Sequence, residues 1–303
     1  TLGTPIAIII RNGDCRPGDY DELKDLYRPG HADWTWEAKY GFRDHRGGGR
    51  SSGRETLGRV AAGAVAKAFL VPFGIAIRSW TAAAAGIEAP GPEQADFDIN
   101  EIERNRLCVP CKKTAEQIYA KLEKLKSKGN SAGGIAVCRI TGVPAGLGEP
   151  VFDKLGALLG HAILSIGACK GIEFGAGFAA ASSTGSAYHD VPLIPPNYSK
   201  PVGGKNSSFK SNNAGGMLGG ISNGMDIFFR AAFKPVPTIA TEQSTVDRNN
   251  AARQIAIQGR HDLCILPRVL PVVEAMTALV IADLLLLTGA DPQESDFRQD
   301  LQS

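Results

Sequence analysis

The sequence has almost no net charge: 33 lysines and arginines against 31 acidic residues leave +2 over 303 residues. A protein that grips nucleic acid is normally far more basic, so any cationic site here is a local concentration. Cysteine is sparse, six residues at irregular spacing, which excludes the dense disulfide framework of a small secreted domain. The cysteines read as reduced thiols of an intracellular protein. Cys108 and Cys111 form one CxxC pair, but no second pair or nearby histidine completes a zinc site, so no metal is expected. No signal peptide is visible in the opening TLGTPIAIIIRN, and no internal repeat is found. The one long apolar run, VLPVVEAMTALVIADLLLLTG, carries Pro271, Glu274 and Asp283, which argues for a buried core helix rather than a bilayer span. A Walker loop and a GxGxxG fingerprint are both missing.

What is present has the pattern of a globular α+β protein, because strands and helices do not alternate as strict βαβ units. PIAIIIRN reads as a buried strand. ETLGRVAAGAVAKAFL places Leu57, Val60, Ala61, Ala64, Val65 and Phe69 on one helical face. TAEQIYAKLEKLKSKG has Thr114 and Gln117 as a capping box, an Ile118, Leu122, Leu125 stripe and a closing Gly129. GGIAVCRITGVP reads as a strand, PVFDKLGALLGHAILSIG as a helix, and GIEFGAGFAAA and DIFFRAAFKP as half-buried strands. Residues 86–112 look like a connecting loop. Residues 191–211 are rich in proline, glycine and serine and are expected to be a mobile functional loop.

Four segments are too polar or glycine-rich for a core. The first gathers Arg28, Lys39, Arg43, Arg46, Arg50 and Arg54 with His31 and His45 around Gly47, Gly48 and Gly49. Glycine lets backbone approach a ligand, Arg50, Ser51 and Ser52 lead into a helix amino end, and arginine forks suit phosphate or carboxylate. The residues alone leave this open between a solvated cationic loop and a polyanion site. The second is SNNAGGMLGGISNGMD, residues 211–226, and the third is FKPVPTI with Lys234 at a strand end. The fourth, GRHDLC, presents Arg260, His261 and Asp262, although adjacent side chains usually point apart.

At these four segments the chain resembles the chorismate synthase family. YRPGHADWTWEAKYGFRDHRGGGRSSGRE is similar to the family's RPGHAD, KYG and RGGGRSSARE blocks. GEPVFDKLGALLGHAILSIGACKGIEFG, SNNAGGMLGGISNG, FKPVPTI, STVD and GRHDLC follow in family order, out to about residue 288. The resemblance implies a β-α-β sandwich with antiparallel sheets and helices packed between and around them. It implies the 1,4-anti elimination of phosphate from 5-enolpyruvylshikimate 3-phosphate to give chorismate, with reduced FMN required. NADPH would enter only indirectly, for flavin reduction, through the chain itself or an external flavin reductase. A cytoplasmic homotetramer (plastid in a plant) is implied, with neither nucleic acid nor membrane as partner.

The resemblance also assigns roles. His31 is similar to the family histidine beside the flavin, and Ser52 and Asp262 to the pair linked to proton removal. Arg28 and Arg54 resemble substrate-binding arginines. Arg50, Ser51, Ser52, Gly167, Ala168, Gly219, Lys234, Pro235, Val236, Pro237, Thr238 and Arg260 match the FMN-binding positions. Against the family pattern, the chain lacks a GESHG element with a second histidine and an RRRPG element with further substrate arginines. Residues 1–303 are therefore expected to be one domain, incomplete at its amino end. The alternative is an impaired member that binds FMN or a polyanion without turnover. Gly53 replaces the usual alanine, SIGACKG the commoner SI.AVKG, and GSAYHD, with His189, an acidic and amide pattern.

Overall fold

A computed structural model describes residues 3–11, 23–46, 49–193, 209–257 and 262–289. Arg260, His261, Gly47, Gly48 and most of the 191–211 loop lie outside the described residues.

In chain order the elements are α1 (Asp33–Tyr40), α2 (Thr56–Leu70), β1 (Ala76–Ala84), β2 (Ile87–Glu88), α3 (Glu101–Arg104) and α4 (Lys112–Lys126). They continue with β3 (Gly134–Thr141), α5 (Leu155–Leu164), β4 (Cys169–Phe174), α6 (Gly185–Tyr188), β5 (Met217–Leu218) and β6 (Ile221–Ser222). Then come β7 (Ile227–Phe233), β8 (Gln243–Val246), β9 (Ala252–Ile255) and α7 (Leu266–Leu287). Five strands form one antiparallel sheet in the order β2-β1-β3-β7-β4, and β5-β6 and β8-β9 form separate hairpins. Helices pack against that sheet, which makes the chain α+β, as its element pattern indicated.

The central strands follow from their sequences. In β7 the side chains of Ile227, Phe229, Ala231 and Phe233 are buried while those between them are not, the period of two that DIFFRAAF predicts. In β3, Ala136, Val137, Cys138 and Ile140 are buried, so both faces of that inner strand are covered. The predicted apolar run becomes α7, 22 residues with Leu266, Val273, Ala278, Ile281 and Leu285 almost wholly buried. Each such aliphatic side chain contributes about 1.5–3 kcal/mol to folding. Glu274 reaches from α7 to Lys67 of α2 and accepts from the Ser79 backbone N–H at 2.7 Å, so its charge is compensated at the helix–sheet seam.

Several local expectations need correction. PIAIIIRN is not a strand: residues 3–11 have no ladder partner among the described residues, and Ile6, Ile8, Ile9 and Ile10 are exposed. A β-pattern is only half of a strand, since the other half is a neighbour's hydrogen bonds. The segment instead borders a groove of about 330 Å³ with Gly58, Ala61, Ala62 and Val65 of α2. The expected face of α2 holds only in part: Val60 and Phe69 pack against the core, but Leu57 and Val65 are exposed and the buried residues are Gly63, Ala66 and Leu70. α2 is apolar nearly all round, so periodicity could not choose a side. The choice fell to Gly63, where a Cβ would lie 2.2 Å from Ala275 Cβ, so only glycine lets α2 and α7 approach this closely.

α4 begins two residues before Thr114, which lies buried inside the helix, so no capping box forms and Cys111 stands at the N-cap. Its Ile118 and Leu122 are buried, and Gly129 closes it with a left-handed turn, as expected. α5 starts only at Leu155, and the segment after β4 coils into a 3₁₀ turn, Gly177–Ser182, rather than extending the strand. The two ends of the 191–211 loop are pinned together by the Pro192–Phe209 bridge. Asp190 anchors them by accepting from Ser211 Oγ at 2.6 Å and from the Asn213 and Ala214 N–H groups at 2.8 Å.

Candidate active site

The first basic segment folds as a tight, self-bonded loop. Gly30, in the left-handed region at φ +69°, turns the chain so that His31 N–H donates to the Arg28 carbonyl at 3.1 Å. α1 then begins at Asp33, a carboxylate in the first turn where the helix dipole favours it. Asp33 is 5% exposed, so its charge needs partners. Arg28 supplies a two-pronged grip, Nε to Oδ2 at 2.7 Å and Nη2 to Oδ1 at 2.7 Å, with its backbone N–H also on Oδ2. His31 Nδ1 lies 3.0 Å from Oδ1, and so does Arg43 Nη1. Burial alone would raise the Asp33 carboxyl. The Arg28 and His31 hydrogen bonds and charges outweigh it and hold the carboxyl well below the usual carboxylate range.

Arg43 is itself nearly buried. Its Nη2 donates to the carbonyls of Leu23, Lys24 and Leu26, at 2.8, 3.0 and 2.6 Å. That short segment docks on the β8–β9 hairpin, where Thr245 Oγ1 donates to the Tyr27 carbonyl and Tyr27 N–H donates to the Val246 carbonyl at 3.2 Å. STVD thus has a structural task that its sequence did not disclose: it seats the His31 loop.

Lys234, at the end of β7, ties this loop to the main sheet, because its Nζ donates to the Gly30 carbonyl. Burial, and then repulsion from Lys170, lower the Lys234 pKa. Lys170 is a neighbouring cation that sequence reading did not single out, although it lies in the SIGACKG stretch two residues after Ala168. The Lys234 backbone N–H donates to the carbonyl of Ala168 at 3.0 Å, which brings Gly167 and Ala168 alongside. Ala168 stands at φ +69°, a conformation costly for a residue with a Cβ. Ser131 Oγ donates to the Val236 carbonyl at 2.7 Å, and Ala132 N–H to the Leu263 carbonyl at 2.8 Å. The adjacent Ser131 and Ala132 thus bond to the 234–238 segment and to the neighbour of Asp262, whose carboxylate is paired with Arg268 at 2.9 Å.

The segment with Arg50, Ser51, Ser52 and Arg54 stands at the amino end of α2. Ser52 Oγ accepts from Arg54 N–H at 3.3 Å and caps a short 3₁₀ turn, Gly53–Glu55. The side chains of Arg50 and Arg54 are exposed and form no hydrogen bond or ion pair with other side chains among the described residues. Arg59, one turn into α2, donates to Ser165 Oγ at 2.6 Å, linking this end to the chain just before Gly167. Ser52 and Asp262 share no hydrogen bond. Gly219 lies apart, in the β5–β6 turn, which meets the amino end of α5 where Leu155 N–H donates to the Gly220 carbonyl at 2.8 Å. Gly167 follows the other end of that ten-residue helix, about 15 Å away. Among the described residues no group of histidine, cysteine and acidic side chains could hold a metal.

A buried carboxylate holding an imidazole, a lysine tying that loop to the end of β7, and exposed arginines at the amino end of α2 mark an α+β protein suited to handling anions. The chain belongs to the chorismate synthase family: the family model described as chorismate synthase matches residues 1–286. It is 50% identical over 286 residues to the chorismate synthase of Syntrophobacter fumaroxidans, covering 94% of this chain and 77% of that one. It is 49% identical to the chorismate synthase of Nitratidesulfovibrio vulgaris strain Hildenborough, covering 95% of this chain and 76% of that one. A solved crystal structure of chorismate synthase superposes with a TM-score of 0.69 at 33% identity, covering 85% of this chain and 70% of that one. By that membership the chain is a lyase.

Proposed function

We propose that the chain works as a single domain that eliminates phosphate from 5-enolpyruvylshikimate 3-phosphate, giving chorismate. The observation that carries this reading is the bond from Lys234 to the Gly30 carbonyl, which gathers the RPGH loop and the KPVPT segment around His31. The substrate carries two carboxylates and a phosphate. Arg50 and Arg54, exposed at a helix amino end, and Lys234 with Lys170 are suited to such an anion.

The same residues fit reduced FMN. A Cβ built on Gly167 or Gly219 meets nothing within 4 Å, so each glycine offers open space to a flat ring. Arg50, Ser51, Ser52, Gly167, Ala168 and residues 234–238 would hold it. When bound, reduced flavin supplies electron density transiently to the substrate. Within the chain, His31 takes up and returns a proton through its ring, Ser52 and Asp262 serve the proton leaving the substrate ring, and Arg54 and the lysines balance the phosphate charge. Arg28 contributes through Asp33, since its fork is already engaged there. We further infer a cytoplasmic homotetramer, with NADPH used only for flavin reduction.

Anaerobic incubation with substrate and reduced FMN, following phosphate and chorismate together, is expected to show both products in equal amounts. Binding of FMN without either product would favour an impaired, ligand-binding role. Ser52→Ala should slow turnover while costing about 0.5–2 kcal/mol of stability, the scale of a lost helix cap. Turnover at the parent rate would remove Ser52 from the chemistry.

A further inference from the structure

We propose that Asp33 is the positioning residue for His31: it holds the imidazole by Nδ1 and so makes Nε2 the nitrogen that acts. This deepens the functional reading above and rests on it. Asp33 is ionised, and an ionised carboxylate only accepts hydrogen bonds. Its Oδ1 lies 3.0 Å from His31 Nδ1, so the proton between them is carried by the ring. Arg28 Nη2 lies 3.1 Å from the same nitrogen and can only donate, but it is drawn to Oδ1 at 2.7 Å, and a bare Nδ1 lone pair would face the Asp33 anion at 3.0 Å, which repels it. The ring tautomer is therefore fixed with its proton on Nδ1. Nε2 has no hydrogen-bond partner among the described residues, so it is left to accept a proton or, once charged, to give one.

Asp33 is in turn immobilised more firmly than a helix cap requires. Oδ2 takes the Arg28 backbone N–H and Nε, and Oδ1 takes Arg43 Nη1 at 3.0 Å. Arg43 is anchored on three backbone carbonyls, and beside it Glu37 is held by Arg248 Nε at 2.8 Å. The groups around the imidazole are thus Arg28, Asp33 and Arg43, with Glu37 and Arg248 behind them. An asparagine at position 33 could not serve all these donors. Its single carbonyl would face one set, and its NH₂ would confront the other.

The test uses the full chain with ¹⁵N-labelled histidine, the His31 signals being assigned by their loss in His31→Gln. Proton–nitrogen correlation spectra should show neutral His31 protonated on Nδ1, and in Asp33→Asn that proton should move to Nε2. Turnover of Asp33→Asn should fall on the order of ten- to hundredfold. In a His31→Ala background the same change should cost less than about twofold, because a residue acting through His31 has nothing left to position. His31 protonated on Nε2 in the parent protein would overturn the proposal, and that measurement holds even if Asp33→Asn does not fold. An equal loss of turnover with and without His31 would also overturn it, showing Asp33 to be structural only. Full activity in His31→Ala would sink the functional reading instead, leaving the tautomer to judge the positioning.

Discussion

His31→Ala is expected to lower turnover by about 10²–10⁴-fold, the usual contribution of a positioned proton-transfer group. The loss should fall on turnover and spare the fold. His31 is partly exposed, and its side chain is held by Asp33 Oδ1 with Arg28 Nη2 close by at 3.1 Å. Removing the ring leaves Asp33 with Arg28 and Arg43, so no buried charge is stranded and the cost in stability is about 1 kcal/mol. The measurement is the anaerobic rate of phosphate release with reduced FMN, beside a thermal unfolding curve. A variant that unfolds several degrees early would locate the role of His31 in the loop's structure. A variant within threefold of the parent would remove it from proton transfer.

Gly63→Val is expected to have the largest effect on stability. Its Cβ would lie 2.2 Å from Ala275 Cβ and 2.4 Å from Ala275 Cα, and a backbone atom cannot rotate away. Overpacking of this kind costs about 1–3 kcal/mol and more where the backbone must move, out of the roughly 5–15 kcal/mol that holds a domain together. Gly58→Ala, five residues earlier on the same helix, meets nothing within 4 Å. It should instead raise stability by up to about 1 kcal/mol through helix propensity. Urea unfolding of the pair checks both. Equal behaviour of the two variants would mean that α2 does not press on α7 as closely as the structure places it.

The contrast between those two glycines marks where sequence reading stops. Both sit in an apolar helix, and nothing in ETLGRVAAGAVAKAFL distinguishes the one that touches α7 from the one that faces outward. The same limit explains PIAIIIRN, whose composition is that of a strand but whose hydrogen bonds depend on a neighbour. By contrast, β7 and α7 were legible because alternation in one and unbroken apolarity in the other leave few places for them but the core. The character of the site was only half legible: arginines, lysine and glycines gathered in a nearly neutral chain suit an anion, but the residues alone fit a solvated cationic loop equally well.

What the sequence by itself determined, then, is the set of elements whose burial their own periodicity dictates, and the chemistry of the groups available. Its likeness to a family ordered those groups into one site. The tertiary structure alone decided who meets whom. Lys234 reaches Gly30 across 204 residues, Thr245 reaches Tyr27 across 218, and Arg59 reaches Ser165 across 106. No local pattern encodes such pairings, because they are selected by the packing of the whole sheet and its helices. Asp33 is the clearest case. In the sequence it is one acid in a charged stretch. Folded, its burial between Arg28, His31 and Arg43 makes it an anion with a single orientation, because a charge taken out of water must be met on every side.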